Sequence, residues 1–171
     1  MKKLGLMIAL GLIVAGCSTT VTPNGTVTKA GDTTTYSDNK GNSATVSDNG
    51  TATYKNDKGE TAQIGGTVSE ADLGLPFYPG STEKPNASMK GDTNGEKSAM
   101  ISRTTKDDPD KVVAFYKDKI PGGKDSNFTT GDTKMGTVGG KLSDGGEASV
   151  MATRKGTEDT EIVVTVTHKK S

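Results

Sequence analysis

The sequence predicts an α+β fold: an antiparallel β-sheet with one α-helix packed on a face, preceded by a short-stranded β-meander and an N-terminal signal helix. Three observations predict it. Residues 31–66 repeat short alternating runs between Asn/Asp/Gly clusters, the pattern of strands joined by tight turns. Asp108-Pro109-Asp110 opens one amphipathic segment with cap, helix-start and first-turn acid signals together. Beyond it, residues 126–135, 137–143, 147–155 and 160–168 read as strands separated by Gly-rich turns.

The first element is the signal segment, residues 1–16. Lys2 and Lys3 give a positive start, and Leu4 to Val14 form an apolar run that falls short of the ~20 residues needed to cross a hydrocarbon core. The run ends in Val14-Ala15-Gly16-Cys17, followed by polar Ser18-Thr19-Thr20. The four residues resemble a bacterial lipobox. That resemblance implies signal-peptidase recognition of Val14, Ala15 and Gly16, cleavage after Gly16, and attachment of diacylglycerol to the Cys17 thiol with acylation of the new amine. Cys17 is the only cysteine, and an unpaired cysteine in an exported chain calls for such an explanation. Two or more acyl chains anchor stably, since each buried methylene contributes about 0.8 kcal/mol. Ser18 resembles the sorting position that sends Gram-negative lipoproteins to the periplasmic face of the outer membrane. In a single-membrane cell the same anchor implies the outer face of the plasma membrane.

Cleavage would leave 155 of 171 residues and remove Lys2 and Lys3, so 19 basic residues would face 21 acidic ones, a net charge of −2. No polybasic footprint for nucleic acid results. The chain is 30% hydrophobic and 4% aromatic, with no Trp and 23 Gly, a composition that favours a small core over a large buried catalytic cavity.

Residues 17–30, the lipidated Cys and the Thr/Gly/Pro/Asn-rich run after it, are expected to be a flexible tether. In residues 31–66, Tyr36 to Val46 returns 18 positions later as Tyr54 to Ile64, and Gly41, Gly50 and Gly59 lie 9 apart. Ala44 with Val46, Ala52 with Tyr54 and Ala62 with Ile64 each share a face. A calcium nonapeptide array would need paired glycines and an Asp two positions after Gly, where Ser43, Ala52 and Thr61 stand. An EF-hand loop fails because Asp38-Asn39-Lys40-Gly41 lacks alternating oxygen ligands and a distal Glu. A thin antiparallel meander remains. Residues 67–76 are expected to be a linker, and residues 77–171 the α+β domain, with its helix over about 109–119.

The second half resembles a domain that recurs in uncharacterised bacterial lipoproteins. Leu75-Pro76-Phe77-Tyr78-Pro79-Gly80 matches its YPG turn, and Asp108 to Lys117 (DPDKVVAFYK) its capped helix. Ser81 stands where Ala is frequent in that family, and no Trp follows the helix. The resemblance implies a turn, a cap and a core stripe, with no activity attached.

Catalytic chemistry finds little material. His168 is the only histidine and lies near the C-terminus, a poor organiser of a nucleophile. Asp107, Asp108 and Asp110 form an acidic cluster able to attract a divalent cation, but cap chemistry accounts for two of them. Gly139-Gly140-Lys141 lacks phosphate-loop spacing. No cofactor or metal is implied. Phe77 and Tyr78 are the candidate partner surface, or else a staple holding the linker to the core. The expected function is that of a non-enzymatic lipoprotein, held to the membrane by its lipid and binding an envelope protein or glycan. The alternative is an envelope hydrolase or hydrolase inhibitor using the acids of 147–161, namely Glu147, Glu158, Asp159 and Glu161.

Overall fold

A computed structural model describes residues 17–169. The α+β expectation is corrected: among the described residues 57% are strand and 8% helix, so the protein is nearly all antiparallel β-sheet. The helix signals were local and produced only local helix, while β-branched Thr and Val recruit most of the rest into strands. The expected signal helix lies outside the described residues. The chain divides into two compact units at Thr61/Ala62.

The first unit is an antiparallel meander of β1 (Cys17–Thr22), β2 (Gly25–Ala30), β3 (Thr33–Asp38), β4 (Ser43–Ser47) and β5 (Ala52–Lys55). The expected tether is therefore a hairpin, closed by the two-residue turn Pro23-Asn24 and followed by Gly31-Asp32. Threonine-rich composition reads as flexible, yet paired Thr side chains stabilise a ladder. The register lines up Thr19, Thr28, Thr35, Thr45 and Thr53 in one row across all five strands. Hydroxyls pair at 3.2 Å between Thr19 and Thr28, and at 3.0 Å between Thr35 and Thr45. The 18-residue repeat recurs in its turns. Asp38 Oδ1 accepts from the N–H groups of Lys40 (2.8 Å) and Asn42 (2.9 Å), and the Asn42 amide donates to Asp38 Oδ2 (2.7 Å). One repeat later Asn56 Oδ1 accepts from Lys58 (3.1 Å) and Glu60 (2.9 Å), while its amide donates to Glu60 (2.6 Å). Acid and amide have exchanged places, and the turn is preserved.

β6 (Thr61–Ile64) spans the division between units. The second unit continues with α1 (Glu70–Leu73), β7 (Thr82–Thr93), β8 (Glu96–Thr105), α2 (Pro109–Lys117), β9 (Lys124–Thr130), β10 (Thr133–Lys141), β11 (Glu147–Lys155) and β12 (Thr160–His168). Its strands run in the order β7-β8-β12-β11-β10-β9, each pair antiparallel. Ile162, Val164 and Val166 alternate inward from β12, beside Val150 of β11 and Ile101 of β8. α2 covers this face over β10 and β11 with Val112, Val113 and Tyr116. It starts where expected: Asp108 accepts from the Asp110 N–H, and Pro109 occupies the first turn.

Residues 67–76, expected to be a linker, belong to this core. Val68, Leu73 and Leu75 are buried, and Ser69 and Asp72 form a reciprocal capping box around α1. The turn expected at 136 lies instead at Gly131-Asp132, and Gly136 sits inside β10. A Cβ there would come within 2.5 Å of the Val113 methyl, so glycine at this point lets α2 approach the sheet. Gly136→Ala is therefore expected to destabilise the second unit by about 1–3 kcal/mol. Urea unfolding followed by circular dichroism measures this, and an unchanged midpoint would show that the helix is not seated on Gly136.

Candidate binding surface

Period-two alternation decides which residues of the meander share a face. Cys17 starts β1, the outermost strand of its sheet, and shares the hydroxyl face with Thr19, Val21 and the threonine row. Its thiol is unbridged and partly exposed. Val14, Ala15 and Gly16 lie outside the described residues. The opposite face carries the row Thr20, Val27, Tyr36, Ala44 and Tyr54. Tyr36 and Tyr54 are 50% and 48% exposed, and Val46 is exposed beside them on the same face. Ala44 separates the two rings, leaving them two strands, or ~9.6 Å, apart. Between and beside them runs an open trough of about 320 Å³, floored by Val27 and Ala44 and rimmed by Thr22, Asn24, Asp38 and Asn42. The carboxylate of Asp38 is held below its ordinary 3.8 by the Asn42 side-chain and main-chain hydrogen bonds. Its oxygens are occupied by its own turn.

Phe77 and Tyr78 lie in the second unit and are fastened to it. Tyr78 is 7% exposed, meets Phe115 edge-on at 5.3 Å and donates its hydroxyl to Asp107 at 2.9 Å. Burial and the Asp107 carboxylate raise its hydroxyl to about 12. Phe77 is partly covered by Arg103, whose guanidinium stands 4.2 Å from the ring centre. These contacts suit a staple.

The acids of 147–161 do not converge. Glu147 begins β11, whereas Glu161 sits opposite Thr153, six residues along the same strand. At ~3.3 Å per residue that is about 20 Å, against roughly 5–9.5 Å for a glycosidase pair. Glu161 accepts from Lys84 (2.9 Å) and Ser102 (2.8 Å), which hold its carboxyl below 4.5 and so ionised. Glu158 and Asp159 lie in the turn before β12 and are exposed.

The aspartates around α2 are likewise partnered. Asp107 receives the Tyr78 hydroxyl and Lys111, while Lys134 bridges Asp108 and Asp110 at 2.6 Å each. Among the described residues no group of three or more His, Cys, Asp or Glu side chains is placed to hold a metal ion. His168, the expected loose base, is instead a strut. Its Nδ1 lies 2.6 Å from Asp144 and its Nε2 3.1 Å from the Asp72 carbonyl, linking β12, the β10–β11 turn and α1.

Comparison with known protein families, curated proteins and solved structures finds no match. The tyrosine pair was the feature sequence reasoning missed. Its signal was the 18-residue spacing of Tyr36 and Tyr54, which puts two aromatics on one face whenever the turns keep register.

Asp107, Asp108 and Asp144 are held below 3.8, chiefly by the Tyr78 hydroxyl, Lys134 and the Gly146 N–H respectively, and Glu161 below 4.5 by Lys84. The folded state therefore binds fewer protons than the unfolded chain as pH falls through this range. The stabilisation is fully present above the unfolded values and lost as pH drops through the lower folded ones. The thermal midpoint should hold level down to about pH 4.5 and decline below pH 4. A midpoint unchanged to pH 2 would mean these contacts contribute nothing to stability.

Proposed function

We propose that the chain is a lipid-anchored lipoprotein of the bacterial cell envelope whose role is binding rather than catalysis. The observation that carries this reading is the run from Lys2-Lys3 through a short apolar segment to Val14-Ala15-Gly16-Cys17, ending at the sole cysteine. Support comes from Cys17 itself, which is partly exposed at the start of an outermost strand, where a thiol is open to modification. No helix among the described residues is long and apolar enough to cross a membrane, so attachment in this reading rests on the lipid. Support for binding comes from the exposed tyrosine row, set against acids that are dispersed or already ion-paired.

The strand at 17–22 sharpens the proposal. With no long tether, the meander stands directly at the lipid headgroups. Because the Cys17 side chain shares the hydroxyl face, its thioether-linked diacylglycerol leaves from that face while the amide-linked chain leaves from the strand end, and in this reading the tyrosine face turns away from the bilayer. Cells expressing the full chain and fed an alkyne fatty acid should yield labelled protein in the membrane fraction, and Cys17→Ala should lose the label. Equal labelling of the two forms would refute the anchor.

A further inference from the structure

We propose that the trough between Tyr36 and Tyr54 binds an uncharged glycan of the envelope, a chain of β-linked N-acetylhexosamine units lying across the strands. The location rests on the anchor reading; the chemistry rests on the trough alone.

Three features select this occupant. The first is electrical. Asp38 is the one carboxylate among the lining residues, which include no Lys, Arg or His, and its two oxygens already accept three hydrogen bonds from Lys40 and Asn42. An uncharged ligand matches a lining with a single carboxylate whose oxygens are held by its own turn, whereas a phosphorylated ligand would meet that negative charge and no cation among the lining residues.

The second is the mixed character of the wall. Tyr36 and Tyr54 present broad apolar faces with polar tips, and Val27 and Ala44 give an apolar floor. The Asn24 amide and the Thr22 hydroxyl, which donates to the Gly25 carbonyl and can still accept, are among the lining groups. A pyranose has the same division, with C–H groups on the ring face and hydroxyls around the edge, and an N-acetyl group adds a methyl and an amide.

The third is periodicity. The 18-residue repeat returns tyrosine to the same row two strands later, ~9.6 Å away. Two platforms one such spacing apart suit a polymer that offers equivalent ring faces at regular intervals. Lipid is disfavoured as occupant because the proposed anchor leaves from the other face.

The test titrates the chain, with and without substitutions, with N-acetylglucosamine tetramer and hexamer. Because the chain has no Trp, tyrosine fluorescence reads the event directly, and calorimetry gives the affinity. Binding is expected, tighter for the hexamer. Tyr36→Ala and Tyr54→Ala should each weaken it about ten-fold, on the scale of one lost aromatic contact. Tyr36→Phe keeps the ring and should keep most of the affinity. Ala44→Val fills the floor and should abolish binding while far-ultraviolet circular dichroism stays unchanged. Four results would overturn the proposal: no binding of the hexamer at millimolar concentration; equal affinity in the alanine variants; loss of self-association, rather than of glycan binding, in sedimentation of those variants; or tyrosine-dependent binding to phosphatidylethanolamine vesicles. Labelling of Cys17 does not involve either tyrosine, so a labelled protein that ignores the glycan would sink this inference and leave the anchor standing.

Discussion

The constraint on which the meander depends is the register of its backbone ladder. None of the buried hydrophobic residues that form the core lies between residues 17 and 61, so apolar burial does not choose which side each strand presents. Register alone does so, and a slip by one residue would exchange the faces. The turns hold it. Asp38 with Asn42, and Asn56 with Glu60, cross-brace equivalent loops with acid and amide reversed, and Asn49 accepts from the Thr51 N–H in the loop between them. With register fixed, threonine forms an unbroken row on one face and the tyrosines stand on the other. The side from which Cys17 projects follows from the same alternation.

In the second unit the same alternation operates against a covered face. Ile162, Val164 and Val166 are fixed inward because α2 and the segment around α1 exclude water from that side. Polar groups there serve as fasteners. Lys134 ties the α2 cap to β10, and His168 ties α1 to β12 and to Asp144. Charges used in this way are oriented by their partners and have little freedom to act on a third molecule. Of the acids of 147–161, Glu161 is held in this way by Lys84 and Ser102.

Much of this was legible in the sequence where the signal was local and repeated. The helix cap at Asp108, the β12 alternation and the 18-residue repeat each stand in the structure at the positions read for them. Elsewhere composition and local signals diverge from conformation for reasons that differ by segment. Residues 17–30 look flexible by their Thr, Gly, Pro and Asn content, yet two-residue turns and cross-strand hydroxyl pairs make them strands. Residues 67–76 look like a linker because α1 has only four residues, although Ser69-x-x-Asp72 is a capping signal and Gly74 supplies the left-handed cap. Gly136 has the look of a turn because the sequence does not reveal that Val113 presses against it. The tyrosine trough was half visible. The 18-residue spacing stands in the sequence, but the face it occupies depends on the register.

The argument for a ligand on that face turns on Ala44. Strand propensity could explain tyrosines in a thin sheet, since aromatic residues favour strands and stabilise them as directly opposed pairs. Here the tyrosines do not oppose each other. Ala44 stands between them, in a strand whose other face uses Thr45 for the same cross-strand task. A row selected for stability would place a β-branched or aromatic residue at 44 and close the gap; threonine performs that service along the parallel row without interruption. Large, small, large is instead a shape: two platforms with a floor. In a sheet without a core to satisfy, that shape is the feature on which the proposed ligand rests.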